Sequence, residues 1–253
     1  MIIDTPSVSA IPSLMALWKE AFGDDDEFIS AFFSLGFSPK RALCAYDNEN
    51  LAGALYWFDM DYKGKKTAYI YGVATAKSCR GRGIGTAMMK AAEETLRASG
   101  YEGIALVPAE KKIFRFYEKL GYKTFAYVDE KRFTASSKKT SVRKADATEY
   151  FEERKKYLKE GYLTLSEESF DFLEALVDFY VGKDFVLSLR KGEKDFFAVE
   201  FFGNFNEIPN LINSLEYSKG LVRTEGNDNA FAMYLPLQDL QTPLFSYLGF
   251  AFD

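Results

Sequence analysis

An apolar run that contains a glycine, Tyr69-Ile70-Tyr71-Gly72-Val73-Ala74-Thr75, precedes Arg80-Gly81-Arg82-Gly83-Ile84-Gly85, and a long helical pattern follows directly. Strand, glycine-rich turn and helix in that order constrain the fold more than any other segment of the chain. The first amides of a helix have no intrahelical acceptor, and its N-terminus carries about half a positive charge. Glycines let an anion approach such a backbone with no Cβ in the way. The segment therefore predicts a phosphate-binding corner in an α/β frame.

The rest of the sequence narrows the chemistry. With 253 residues, 47% of them hydrophobic, the chain suits one large or two small domains. The start, Met1-Ile2-Ile3-Asp4-Thr5-Pro6, has no basic region leading into an apolar stretch, and no later stretch approaches the roughly 18 apolar residues of a membrane span. A cytoplasmic protein without a membrane partner is expected. The net charge of -5 and pI near 5.1 argue against a nucleic-acid partner. Histidine is absent, which removes histidine triads, histidine-ligated metals and any imidazole base, and no metal is expected. Cys44 and Cys79 form no CxxC pair and read as free thiols.

Apolar spacing predicts two short helices between Ile11 and Phe33, broken at Gly23-Asp24-Asp25-Asp26. A hairpin follows, with Ala42 to Tyr46 and Leu51 to Phe58 around Asp47-Asn48-Glu49-Asn50. After the strand Tyr69 to Thr75 come a helix from Ile84 to about Ser99, a strand Ile104 to Val107, a helix Lys111 to Leu120 and a strand Tyr122 to Phe133. Residues 134–145 are small, polar and basic, the composition of a linker, which predicts domains at 1–133 and 146–253. Beyond the linker, helices are expected over Tyr150 to Glu160, Ser169 to Tyr180 and Glu207 to Leu215. A hairpin is expected from Phe185 to Phe202, and strands over Leu221 to Thr224 and Phe231 to Leu235.

The halves echo one another in helix and hairpin order, and Phe116-Tyr117-Glu118-Lys119-Leu120-Gly121-Tyr122 resembles Phe245-Ser246-Tyr247-Leu248-Gly249-Phe250, so a diverged duplication is expected. The terminal run Ser246 to Phe252 reads as a last strand in the second half.

A Rossmann dinucleotide site is the first rival for the glycine turn, but its third glycine would fall at Thr86 and its acidic residue near Val107-Pro108. Arg80-x-x-Gly83-x-Gly85 instead resembles the acyl-coenzyme A loop of the GNAT acetyltransferase superfamily, and Phe116 to Tyr122 resembles that family's closing motif at the matching separation. The resemblance runs from about Leu14 to Phe133. It implies a mixed twisted sheet with splayed central strands in each half, in a tandem GNAT acyl-CoA N-acyltransferase fold. It also implies that amides of Arg80, Gly81, Arg82, Gly83, Ile84, Gly85 and Thr86 hold the pyrophosphate of acetyl-coenzyme A, and that Val73, Ala74 and Thr75 offer backbone bonds to its pantetheine arm. Tyr117 is then the acid that serves the departing thiolate. A catalytic domain followed by one without the loop, where Gly203-Asn204-Phe205-Asn206 stands, is similar to the first two domains of the enhanced intracellular survival (Eis) type.

The implied function is transfer of an acetyl group to a primary amine, on a small molecule or peptide, by direct attack in a ternary complex. The alternative is an acyl-coenzyme A sensor or scaffold without turnover. Many family members carry asparagine where Glu110 stands. Glu110, Asp59 and Asp61 are candidate bases, with an exposed first-turn carboxylate as the plain reading of Glu110. Lys77, Arg82 and Lys90 are candidates for reaching phosphates, with solvated surface charge as their plain reading. Cys79 as an acyl carrier and Asp253 as a base are the weakest of these assignments.

Overall fold

A computed structural model describes residues 1–62, 64–238, 247, 248 and 250–252. The chain divides into two compact units, Met1–Lys123 with residues 232–238, and Thr124–Phe231 with 247, 248 and 250–252.

The first unit runs β1 (Ile2–Asp4), α1 (Ile11–Phe22), α2 (Asp26–Ala31), β2 (Ala42–Asp47), β3 (Asn50–Tyr62), β4 (Lys65–Thr75), α3 (Ile84–Ala98), β5 (Gly103–Leu106) and α4 (Lys111–Glu118). Local chemistry sets the boundaries. Gly23, left-handed at φ 80°, closes α1 by donating its N–H to Lys19 O, and the Asp25 carboxylate caps α2 by accepting from the Phe28 amide. Asn48 and Glu49 both take positive φ in the tight turn that folds β2 onto β3. Pairing is antiparallel from β1 through β4 and parallel between β4 and β5, with α3 as the crossover. Alternation sorts the sheet into two faces. Leu55, Trp57, Ala68, Ile70, Ile104 and Leu106 pack with Ile84, Met88, Ala92 and Leu96 of α3. Tyr56, Phe58 and Tyr71 point the other way, in ring contact with Trp18 or Phe32.

The second unit holds β6 (Lys123–Thr134), β7 (Val142–Ala145), α5 (Ala147–Arg154), β8 (Thr164–Leu165), α6 (Phe170–Leu176), β9 (Asp178–Gly182), β10 (Phe185–Lys191), β11 (Asp195–Gly203), α7 (Ile208–Ser214), β12 (Lys219–Glu225) and the start of β13 (Asn229–Pro236). Its strand order is β6-β12-β11-β10-β9-β7, antiparallel except for β11 beside β12. Leu187, Leu189, Phe196 and Ala198 pack with Ile208, Leu211 and Ile212 of α7. The chain then returns to the first unit, where Met233 to Pro236 pair antiparallel with β5 and Met233 and Leu237 join the α3 core.

Several details differ from the sequence expectation. Val142–Ala145, inside the polar run, forms the edge strand β7 against β9, and β6 groups with the second unit. Asp178–Gly182 is strand where helix was expected, because Phe179 and Val181 alternate buried with half-buried Tyr180. At the chain end Tyr247 makes a single parallel bridge to Tyr162, and Leu248, Phe250, Ala251 and Phe252 are buried. Phe245, Ser246, Gly249 and Asp253 lie outside the described residues, and with them part of the expected last strand and of the motif echo.

Arg154 and Glu200 lie at the centre of the second unit, 1% and 0% exposed. The guanidinium donates from Nε and Nη2 to the two carboxylate oxygens at 2.6 and 2.9 Å, and the hydroxyls of Tyr150 and Tyr247 donate to the same carboxylate at 2.8 and 3.0 Å. Removing one partner strands the other charge in a medium that cannot solvate it. Arg154→Ala is therefore expected to destabilise the protein by about 3–5 kcal/mol in urea unfolding. A loss under about 1 kcal/mol would contradict that account.

Candidate active site

The ladder between β4 and β5 runs from Thr67 opposite Gly103 to Ile70 opposite Leu106 and stops, while β4 continues to Thr75. Tyr71, Ala74 and Thr75 are thus paired to β3 on one side, and the β4–β5 ladder does not extend to residues 72–75 on the other. The bulge predicted by a glycine within a strand is present: the β3–β4 register shifts between Ala54 and Tyr56, and Gly72 sits at φ +63°. A Cβ there would lie 2.8 Å from Cζ3 of Trp18, so α1 and the bulge touch directly. Beyond it Val73 packs partly into the α3 core, and Ala74 and Thr75 pair with Ala54 and Gly53.

After β4 the chain makes a short 3-10 turn, Lys77–Cys79, and enters the glycine loop. Three side-chain bonds fix this segment. The Lys77 amide donates to Glu20 Oε1 at 2.6 Å, Arg80 Nε to the Thr75 carbonyl at 3.2 Å, and Arg82 Nη2 to Asp47 Oδ2 at 2.7 Å. Gly81 and Gly83 take φ +76° and +78°, which L side chains rarely adopt, and a Cβ on either would meet nothing within 4 Å. Helix α3 starts with Gly83 as N-cap, no capping side chain and no acidic residue in its first turn.

The decisive feature is the amides. From Gly81 through Thr86 no backbone N–H has an acceptor among the described residues, and the first amide to find one is that of Ala87, bonded to Gly83 O at 3.0 Å. Such a run of converging donors at a helix start suits a multiply charged anion, because each bond to it is charge-assisted and the helix field adds to them.

Tyr117 is the penultimate residue of α4, buried in the same core as Ile84 and Met88. Its ring stands edge-on to Phe116 and Tyr122, with centroids 5.0 and 5.7 Å away. Phe116 in turn reaches α3, since its Cζ would lie 3.7 Å from a Cβ at Gly85. Burial pushes the phenol up to about 12, so the hydroxyl stays protonated across the physiological range.

The other candidates lie elsewhere. Asp59 is bound to Lys66 at 2.7 Å and accepts from the Tyr101 hydroxyl, and Asp61 accepts from the Gly64 amide. Both sit toward the β3–β4 turn; Asp59 pairs with Ala68, roughly 13 Å along β4 from Gly72. Glu110 occupies the α4 N-cap, exposed and paired with Lys112, without capping through its side chain. Lys77 and Lys90 are exposed, and Cys79 is a half-buried free thiol within 3.9 Å of Arg82 Nη1. Glu20, Asp47 and Trp18 were not singled out by the sequence reading of the site. Nothing in their spacing shows which loop they meet.

Residues 3–125 match the acetyltransferase (GNAT) domain family. Over this stretch the chain is similar to GNAT acetyltransferase domains. Solved structures share its fold across the chain. A GCN5-related N-acetyltransferase from Anabaena variabilis aligns with TM-score 0.73 and 14% identity over 94% of this chain and 73% of that one. A GCN5-related N-acetyltransferase from Kribbella flavida gives 0.69 and 16% over 92% and 70%, and Eis1 from Mycobacterium abscessus gives 0.66 and 12% over 94% and 74%. No curated protein matches the sequence. The expected mixed α/β fold of GNAT type is thus the fold observed.

The geometry of the GNAT loop sets a clean test. Gly85 lies inside α3, and its Cβ would meet only Phe116 Cζ and Thr75 Oγ1 at 3.7 Å, an ordinary contact. In a Gly85→Val variant whose melting temperature shows it folded, the added methyl groups should keep an anion from the amides, lowering acetyl-coenzyme A affinity about 10- to 100-fold in calorimetry. Unchanged affinity in a folded variant would remove the loop from the binding site.

Proposed function

We propose that this protein transfers an acetyl group from acetyl-coenzyme A to a primary amine, on a small molecule or peptide, by direct attack in a ternary complex. The observation that carries the reading is the run of open amides from Gly81 to Thr86, next to a strand whose residues 72–75 lie beyond the end of the β5 ladder. The open amides from Gly81 to Thr86 hold the pyrophosphate in this reading, with Arg80, whose own amide is bonded to the Lys77 carbonyl, at the loop entry, and the edge at Val73, Ala74 and Thr75 bonds the pantetheine arm as an added strand would. The amine nitrogen attacks the thioester carbon, the C–N bond forms, the C–S bond breaks and the sulfur leaves with the bonding pair. An amide near Val73 polarises the carbonyl. The Tyr117 hydroxyl, neutral because burial raises its pKa to about 12, donates its proton to the departing sulfur, the attacking nitrogen sheds one proton to solvent as the amide forms, and the phenolate regains a proton from solvent. The acceptor must arrive as a free amine, its proton having passed to solvent.

The second reading, an acyl-coenzyme A sensor without turnover, is favoured by one observation: the carboxylates of Asp59, Asp61 and Glu110 are engaged away from the bulge. Tyr117→Phe separates the two. On an accepted amine it should lower kcat by about 100-fold or more and leave acetyl-coenzyme A affinity within about twofold. Unchanged kcat with chemistry rate-limiting would reduce Tyr117 to packing, and absence of turnover on a broad amine panel would favour the sensor.

The second half is a degenerate GNAT-like domain in this proposal, despite its matching hairpin and parallel crossover. Helix α7 begins Ile208-Pro209 where α3 begins Ile84-Gly85, so its second residue has no N–H to offer. The Asn204 side chain and carbonyl already accept from Asn206 and Glu207. Glu200, two residues past the last parallel pair, takes the place that Gly72 holds in the first unit, and adds a carboxylate there. Calorimetry should find one acetyl-coenzyme A per chain; two comparable sites would defeat the degenerate-domain reading.

A further inference from the structure

The entry to the glycine loop is anchored by a residue outside it. Ala76 N–H bonds the Ala52 carbonyl at 2.9 Å, and the 3-10 turn closes on itself through Cys79 N to Ala76 O and Arg80 N to Lys77 O. The Lys77 amide, which opens that turn, instead donates to Glu20 Oε1 at 2.6 Å, across 57 residues of sequence. Glu20 is an exposed residue near the end of α1, the helix that also presses Trp18 against Gly72. One helix therefore touches both the bulge of β4 and the first residue of the loop.

Electrostatics alone would not place a carboxylate here, because a negative charge beside an anion site repels the anion it is meant to receive. Its value has to be geometric: a charged acceptor holds the Lys77 amide, and the turn it opens leads into the open donors from Gly81 to Thr86. We infer that Glu20 is a positioning residue for the cofactor loop, holding its entry from α1 so that the amides converge; this rests on the reading that the loop binds the pyrophosphate of acetyl-coenzyme A. Charge and geometry then pull affinity in opposite directions. Removing the whole carboxylate relieves repulsion but frees the loop, whereas an amide oxygen relieves repulsion and keeps the acceptor.

The test is calorimetric titration of acetyl-coenzyme A into the full chain and three variants, with melting temperatures recorded alongside. Glu20→Ala should bind roughly 3- to 10-fold more weakly at a melting temperature close to that of the wild type. Glu20→Gln should bind at least as tightly as the wild type. Glu20→Ala matching or exceeding wild-type affinity would overturn the assignment, as would Glu20→Gln weakening as much as Glu20→Ala. Gly85→Val in the same series keeps the two readings apart. If Gly85→Val loses binding and Glu20→Ala does not, only the positioning role falls; if the wild type does not bind, both fall.

Discussion

A helix that starts on bare amides is the constraint around which the first unit is organised. Helix-start donors are usually met by a capping side chain or by water. Among the described residues none is supplied between Gly81 and Thr86, and no serine, threonine or aspartate stands at the N-cap of α3 to provide one. It nonetheless fixes the segment on both sides. Ile84 is sunk in the core, Arg82 is tied to Asp47, and Lys77 is tied to Glu20. Rigid surroundings with open donors describe a site prepared for an anion, since little conformational entropy is left to lose on binding.

The two faces of the first sheet divide the remaining work. One face packs α3 and α4, bringing Ile84, Phe116 and Tyr117 together in one apolar core. On the other face Trp18 lies against Gly72 among the rings of Phe32, Tyr56 and Tyr71. The bulge lies between these faces. Because the β4–β5 ladder stops at Ile70 and Leu106, the strand at Val73 and Ala74 lies beyond the reach of β5. In the proposed reading, the strand end beyond the β5 ladder and the helix start with unbonded amides are parts of one extended binding surface.

Much of this was legible from residue types. Gly72 within an apolar strand announced a bulge, the glycines at 81, 83 and 85 announced a backbone open to an anion, and the 3.6-residue period announced α3 to within a residue of its end. The hairpin and helix order of both halves was also readable, because period and turn chemistry are local. What escaped was set by distance in sequence. Glu20 and Asp47 are ordinary surface carboxylates until the fold brings them to the loop, and the Arg154–Glu200 pair joins two residues that look solvated in isolation. The short strand Asp178–Gly182 was absorbed into a helical window by its aromatic density, and the return of Met233 to Pro236 beside β5 has no local signal at all.

The central claim is that the amides from Gly81 to Thr86 receive the pyrophosphate of acetyl-coenzyme A. The most direct test follows the backbone 15N–1H resonances of the full chain during titration with acetyl-coenzyme A. The account predicts that Gly81, Arg82, Gly83, Ile84, Gly85 and Thr86 show the largest amide shifts and gain protection from hydrogen exchange, in saturation together with Val73 and Thr75. Saturable binding that leaves these six amides unshifted, with perturbations confined to another part of the chain, would contradict it.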